Sequence, residues 1–221
     1  YVPTSFLMIR RPPRSTLFPY TTLFRSTKCS YSVTCSIYDN YIEKEVTRIT
    51  RIRSYENTQK QKRFHISSFC SKKIDGFKQY EIKSLEINGR KIKKDDIDEI
   101  ITENQGSLDE QNGYEYFVEY FYKKVLCLNY KQDTVITLKY ITRTTNDDRM
   151  STFRVGCPCK NFDLFYTIKQ PGNYRIAVSA YGFLDDADSS STNTSSPSDI
   201  TITFNDWIYK FDGVTVVMFD K

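Results

Sequence analysis

Residues 114–144 decide the fold, and they read YEYFVEYFYKKVLCL, NYKQ and DTVITLKYITRT in succession. In the first part, tyrosine and valine alternate with glutamate and phenylalanine, which favours a long strand, although a helix also fits the run. The third part is rich in β-branched residues and predicts a second strand. Residues 129–132 would join the two as an antiparallel hairpin.

Shorter strands are predicted on both sides of this stretch. Each is a short alternating segment bounded by turn residues, and the pair Asn88-Gly89 predicts a tight turn because both residues tolerate positive φ angles. Many short strands of this kind are typical of a mainly β fold built of antiparallel, sandwich-like sheets in one or two subdomains. The predicted strands are 30–41, 46–55, 63–70, 79–87, 152–155, 161–169, 174–183, 199–204 and 214–219.

One short helix is predicted near residues 93–103. Ile97, Ile100 and Ile101 recur at helical spacing, and the acidic residues cluster early, as the N-terminus of a helix prefers. The polar break at 145–148 divides a β-rich domain with this helix, residues 27–144, from a β-rich C-terminal subdomain, residues 149–221. Within the latter, residues 185–198 (DDADSSSTNTSSPS) predict a polar, mobile hairpin loop.

The N-terminal segment is of a different kind. Residues 8–26 read MIRRPPRSTLFPYTTLFRS, and this run resembles, over its whole length, the conceptual translation of a short-read sequencing adapter. The resemblance implies that residues 1–26 are an artefactual, disordered segment and that the natural N-terminus, with any signal peptide or anchor, is hidden. Such segments are set aside before the fold is considered.

Charge and hydropathy exclude several classes of protein. The chain carries 32 Lys and Arg against 27 Asp and Glu, and four of the arginines lie in residues 1–26, which leaves 28 against 27. A balanced chain has no general attraction to phosphate backbones, so a nucleic-acid partner is not expected. Residues 27–221 contain no apolar run of 18 residues, so no membrane span is expected there.

The charges are nevertheless unevenly distributed. Residues 44–94 carry 15 basic against 5 acidic residues, whereas residues 95–119 carry nine acidic residues and no basic one. The basic block could form a nucleic-acid surface with Tyr55, Phe64 or Tyr80 stacking on bases. The interpretation we favour is that the two blocks pair with each other or solvate two separate faces.

Six cysteines permit either three disulfides or free thiols, and the favoured interpretation is buried free thiols in a reducing compartment, hence the cytoplasm. Cys157-Pro158-Cys159 is the one pair that could supply two thiolates to a metal, but no C-x-x-C motif accompanies it. No metal site is therefore predicted, with Cys157 and Cys159 as the candidates to inspect. The absence of a phosphate-binding glycine loop predicts no nucleotide cofactor, and no other cofactor is indicated.

Few residues of the sequence are candidates for a catalytic role. His65 is the single histidine, so Ser-His-Asp or Cys-His catalysis would need it, and a metal site with several histidines is excluded. An acid–base hydrolytic enzyme would rely on surface carboxylates, with Glu115, Glu119 or the cluster at 185–188 as its candidates.

The preferred hypothesis is a non-catalytic β-rich binding or sensing module, itself a fragment of a larger protein, with a protein or small-molecule ligand. Trp207, the one tryptophan, and Tyr209 could stack on a ligand, although a lone Trp more often fills a core.

We expect the adapter-like codons to be absent from the genome. Sequencing native DNA across the region that encodes residues 1–40 should show other codons in place of residues 8–26. Finding the same codons in the chromosome would contradict the resemblance and make the arginine-rich segment part of the natural protein.

Overall fold

The computed structural model describes residues 24–55, 60–70, 76–103, 116–170, 172–181, 192–196, 198–205, 207–208 and 212–220. These residues form fourteen strands and one turn of 3-10 helix, which confirms the mainly β class. The strands are β1 Phe24–Ile37, β2 Tyr41–Ser54, β3 Lys60–Cys70, β4 Tyr80–Ile87, β5 Arg90–Lys91, β6 Ile97–Glu103, β7 Tyr116–Leu128, β8 Asp133–Thr145, β9 Met150–Arg154, β10 Phe162–Ile168, β11 Tyr174–Tyr181, β12 Thr192–Ser195, β13 Asp199–Phe204 and β14 Gly213–Asp220.

The strands form three sheets. The largest has the order β12-β13-β10-β1-β2-β8-β4-β5, and the two smaller sheets have the orders β11-β14-β9 and β3-β7-β6. All pairs are antiparallel except β1 with β10, which run parallel from Cys29 opposite Phe162 to Cys35 opposite Ile168. No helix in these described ranges is long and apolar enough to cross a lipid bilayer.

Both small sheets cover the same face of the large sheet. Side chains alternate between the faces of a strand, and the pairing of β2 with β8 runs without a bulge. Along β2, Ile42 and Val46 belong to one hydrophobic cluster and Ile52 to a second. Because all three positions are even-numbered, the two clusters lie side by side on one face, and Tyr140 of β8 packs against both.

Each cluster joins a different small sheet to the large one. The first contains Phe153, Ile176 and Val216 from the β11-β14-β9 sheet, and the second contains Ile66 and Tyr120 from the β3-β7-β6 sheet. The structure is therefore sandwich-like, with one continuous layer and one layer divided in two.

The alternation predicted for the first strand is confirmed. Tyr31, Val33 and Cys35 are buried, and Ser32 between them is exposed. The predicted turn is also confirmed, since Asn88 has a φ of 51° and Gly89 a φ of 76°.

The helix predicted near residues 93–103 is wrong. One 3-10 turn, Lys94–Asp96, is followed by strand β6, which pairs with β7 over seven residues. The isoleucines are β-branched and suit a strand, and the edge of β7 offers each of them main-chain hydrogen bonds that an isolated short helix would have to make alone. Among the early acidic residues, Asp96 and Asp98 pair with Lys124 and Lys123 of β7 and do not cap a helix.

The predicted β7–β8 hairpin is also wrong. Both segments are strands, but β7 pairs with β3 and β6, whereas β8 pairs with β2 and β4 in the large sheet. Leu128 at the end of β7 and Leu138 of β8 are both buried in the second cluster, so the chain passes from one layer to the other. The loop predicted at 185–198 contains the edge strand β12, which pairs with β13.

Strand β1 begins inside the adapter-like run. Residues 24–26 pair with residues 52–54 of β2 and depart from the disorder expected for residues 1–26, of which residues 1–23 lie outside the described ranges. Main-chain pairing explains this departure, because an extended segment of almost any sequence can complete the ladder that β2 offers.

The two segments predicted as separate β-rich units, residues 27–144 and 149–221, contribute strands to the same large sheet, through the pairing of β1 with β10.

We expect Leu138→Ala to lower the free energy of unfolding by about 2–5 kcal/mol, because Leu138 is buried on a central strand and truncation leaves a cavity. Chemical denaturation would measure the change. Its neighbour Lys139 is exposed on the opposite face, so Lys139→Ala should change the stability by less than about 0.5 kcal/mol. Equal effects of the two substitutions would contradict the assignment of faces.

Candidate functional site

A cleft of about 520 Å³ lies where the large sheet and the β3-β7-β6 sheet end. Its walls come from β4 and β5 at the edge of the large sheet, from the 3-10 turn, from β6 at the edge of the small sheet, and from Tyr120 of β7. The chain from β5 to β6 crosses from one layer to the other, and this crossing closes one side of the cleft.

The β4–β5 turn holds this crossing in place. The Asn88 amide donates to the Val135 carbonyl, and the Val135 amide donates to Asn88 Oδ1, both at 2.8 Å. The Ile92 amide donates to the Leu85 carbonyl, also at 2.8 Å. These bonds tie the turn to β8 and carry the chain from β5 towards β6.

The floor of the cleft is apolar. Leu85 and Tyr120 are 1% and 4% exposed, and three isoleucines pack against the same hydrophobic cluster. Tyr120 Oη lies 2.9 Å from the Tyr80 carbonyl oxygen and 2.6 Å from Glu99 Oε1, so its single proton has two acceptors. The isoleucines of the floor are Ile82, Ile92 and Ile97.

The rim is cationic. Five lysines and two glutamates line the cleft, together with Ser84, and each glutamate is already paired. Lys78 Nζ lies 2.5 Å from Glu99 Oε2, and Lys83 Nζ lies 2.8 Å from Glu81 Oε1. The hydrogen bond from Lys83 lowers the pKa of Glu81, which keeps that carboxylate ionised. The other three lysines are Lys91, Lys93 and Lys94.

These three lysines are exposed, and no carboxylate in the described part of the chain pairs with them. Two of the nearby acids are engaged elsewhere, since Asp96 lies 3.1 Å from Lys124 and Asp98 lies 3.1 Å from Lys123. The lysines come from the sequence KIKK, which was assigned from the sequence to the basic block, with Lys93 and Lys94 also at the start of the predicted helix. Nothing local to that run shows that a cavity lies beside it.

The two charge blocks pair in part, as the favoured interpretation held. Lys78 of the basic block binds Glu99 of the acidic block. Tyr80, named for base stacking, is 4% exposed and stacks on Tyr140 with ring centroids 4.9 Å apart. It is therefore not available to a nucleic acid.

Of the two aromatic candidates, Trp207 is half-buried and Tyr209 lies outside the described residues. Trp207 precedes Ile208, which is buried in the first cluster and bridges to Cys159. Trp207 does not line the cleft, and the role of the pair in ligand binding stays a prediction.

Cys157 and Cys159 differ in environment. Cys157 is half-buried, whereas Cys159 is fully buried and its thiol donates to the Asn161 carbonyl at 3.0 Å. Burial raises the pKa of the Cys159 thiol to about 12, which keeps it protonated and a poor metal ligand at neutral pH. Among the described residues, no three His, Cys, Asp or Glu side chains gather closely enough to hold a metal ion.

The carboxylates named for acid–base chemistry do not meet at the cleft. Glu119 Oε1 lies 2.8 Å from His65 Nε2, and His65 stacks on Phe121 with ring centroids 4.5 Å apart. Glu119 alternates with Tyr120 along β7, so it points away from the cleft floor. Glu115 and residues 185–188 lie outside the described residues.

Two cations of β2, the buried Lys44 and the half-buried Arg48, were not predicted from the sequence. Lys44 is 4% exposed, its Nζ lies 3.5 Å from the Met150 carbonyl, and burial lowers its pKa. The guanidinium of Arg48 lies over the ring of Tyr31, 5.4 Å from its centroid. Neither residue lines the cleft.

Comparison with known proteins names no family. No family model matches the sequence, and no curated protein matches it. Among solved structures, a proposed nutrient-binding protein from Legionella pneumophila is 9% identical with a TM-score of 0.47, covering 89% of this chain and 67% of its own. An M1 zinc metallopeptidase from Deinococcus radiodurans is 12% identical with a TM-score of 0.42, covering 89% of this chain. The yeast leukotriene A4 hydrolase is 12% identical with a TM-score of 0.44, covering 94%.

The chain spans 43% of that metallopeptidase and 31% of that hydrolase. At these identities and TM-scores the likenesses carry no argument about the chemistry of this chain. The cleft therefore has to be interpreted from its own residues.

We expect thiol-alkylating reagents to distinguish the cysteines of the native protein. Cys127 is exposed and should react first, whereas Cys159 is buried with a raised pKa and should stay unmodified until the protein unfolds. Peptide mass spectrometry after iodoacetamide treatment at pH 8 measures both sites. Modification of Cys159 as fast as Cys127 would contradict the burial described here.

Proposed function

We propose that this chain is a non-catalytic, β-rich binding module and that the cleft between β4, β5 and β6 is its small-molecule site. The observation that carries the proposal is the arrangement of the cleft, an apolar floor beneath a rim of lysines. Ligand sites in proteins are typically concave and mostly apolar, with a few placed polar groups, and have volumes of about 300–1,000 Å³. The cleft of about 520 Å³ fits that description.

Hydrogen bonds and hydrophobic packing hold the walls of the cleft in place. The turn at Asn88 is hydrogen-bonded to β8, and the floor belongs to a hydrophobic cluster that holds the two layers together. A site that is already shaped loses little conformational entropy when it binds. This supports a binding role for the cleft as it stands.

An acid–base hydrolytic enzyme is the alternative that the sequence left open. A general acid at neutral pH needs a carboxyl group with a raised pKa, and a catalytic pair needs two carboxylates that converge. In the cleft, Glu81 has a lowered pKa and Glu99 is bound by Lys78 and Tyr120. These pairings favour a binding role over acid–base chemistry.

Methyl NMR with isoleucine labelling tests the proposal. Titration with a fragment library should shift the methyl signals of Ile82, Ile92 and Ile97, while Ile200 and Ile202, buried in the first cluster, stay unchanged. Fragments that bind only elsewhere, or no shift of the three floor residues, would contradict the proposed site.

A pair of variants sharpens this experiment. Ile92→Trp should fill the cleft and abolish the shifts of Ile82 and Ile97, because Ile92 is a half-buried residue of the floor. Phe165→Trp places the same side chain on an exposed position of β10, far from the cleft in the strand order, and should leave the shifts unchanged. Equal effects of the two variants would show that the shifts do not report binding in the cleft.

A further inference from the structure

The charge of the cleft is not compensated. Of its five lysines, two are neutralised by Glu99 and Glu81, at 2.5 and 2.8 Å. Lys91, Lys93 and Lys94 have no carboxylate partner in the described chain, although Asp96 and Asp98 lie close to them in sequence. Asp96 and Asp98 are occupied by lysines of β7, and neither Asp95, next to Lys94, nor Glu86, opposite Lys91, forms an ion pair with the three lysines. Five lysines and two glutamates line the cleft, so its rim carries excess positive charge.

The apolar floor lies directly beneath this charge. Leu85 and Tyr120 are almost fully buried, and Ile82, Ile92 and Ile97 each leave part of the side chain exposed. Burial of apolar surface is favourable, so a ligand body that covers these side chains gains affinity from contact alone. An inorganic anion could use the lysines but would leave the floor uncovered.

We propose that the cleft binds an amphiphilic organic anion, a compact apolar body that carries one carboxylate or phosphate headgroup. The body lies on the isoleucines, and the headgroup lies among Lys91, Lys93 and Lys94. This inference rests on the proposed function, since it names the ligand class of the same cleft. The cleft is not a groove for a nucleic acid, because Glu81 and Glu99 line it and its aromatic residue, Tyr120, is buried.

Four ligands with the same eight-carbon body test the headgroup. Nonanoate and octyl phosphate carry the two anionic headgroups, octanol is neutral, and octyltrimethylammonium is cationic. In calorimetric titrations at low salt, at least one of the anions should bind ten-fold or more tightly than octanol, and the cation should bind more weakly still. Inorganic phosphate, a headgroup without a body, should bind at least ten-fold more weakly than octyl phosphate.

Two triple variants, each with three fewer positive charges, test whether the lysines at the cleft bind the anionic headgroup. Lys91→Gln combined with Lys93→Gln and Lys94→Gln should weaken binding of the preferred anion at least ten-fold and leave octanol unchanged. The matched control replaces three exposed lysines that do not line the cleft, and it should bind as the natural chain does. The control substitutions are Lys139→Gln, Lys160→Gln and Lys169→Gln. Thermal melting of both variants establishes that they are folded.

The outcomes separate the two proposals. If octanol binds as tightly as both anions, or if the two triple variants lose affinity equally, the anion specificity is wrong while the cleft still binds ligands. If none of the four ligands binds, the ligand class is wrong, and the methyl NMR experiment decides independently whether the cleft binds fragments. Absence of fragment shifts at Ile82, Ile92 and Ile97 would overturn the proposed function itself.

Discussion

One face of the long strands β2 and β8 supports the whole described structure. Alternation places the even-numbered residues of β2 on a single face, and along that face Ile42 and Val46 bury against one small sheet while Ile52 buries against the other. A shift of one residue in the β2–β8 register would turn every one of these side chains outward. Strands β2 and β8 form thirteen residue pairs without a bulge. This pairing therefore holds both hydrophobic clusters in place.

The cleft follows from this division of the second layer. Strands β4 and β5 lie at the edge of the large sheet and β6 lies at the edge of the β3-β7-β6 sheet, and the chain crosses between the two layers at these edges. The crossing from β5 to β6 leaves space because the Asn88 turn is bonded to β8, whereas β6 is bonded to β7. The lysines of the crossing thus lie beside a hydrophobic cluster whose edge is incompletely covered.

Ion pairs between lysines of β7 and nearby acids affect which lysines at the cleft remain without a carboxylate partner. Lys123 of β7 pairs with Asp98 of β6, and Lys124 of β7 pairs with Asp96 of the 3-10 turn. Such exposed pairs contribute little stability, typically below about 1 kcal/mol. They nevertheless occupy two of the acids, Asp96 and Asp98, that lie close to the KIKK segment at residues 91–94.

Local patterns predicted much of the secondary structure. The alternation of Tyr31, Val33 and Cys35, the strand character of β7 and β8, and the Asn88-Gly89 turn depend on interactions within a few residues, and the structure has all of them. The helix near 93–103 failed because the spacing of its isoleucines fits a helical face, while the available edge of β7 is a partner that no local pattern reveals.

The pairing of strands that are distant in the chain could not be predicted from the sequence. The β7–β8 hairpin was the simplest connection of two adjacent strands, yet β8 pairs with β2, some ninety positions earlier in the chain. Such choices depend on which surfaces become buried together, as Leu128 and Leu138 are here. None of the cleft residues was predicted as a site for the same reason, since its floor and rim come from β4, β5, β6 and β7.

By itself, the sequence determined the strand-rich class, the balance of charge beyond residue 26, and the shortage of histidine that limits catalytic chemistry. These properties follow from composition and from the two-residue period of side chains along a strand. Only the tertiary structure decided which strands pair, that one layer is divided, and that three lysines without carboxylate partners border an apolar floor. Those outcomes depend on burial and charge pairing between residues far apart in the chain, which no local stretch of sequence specifies.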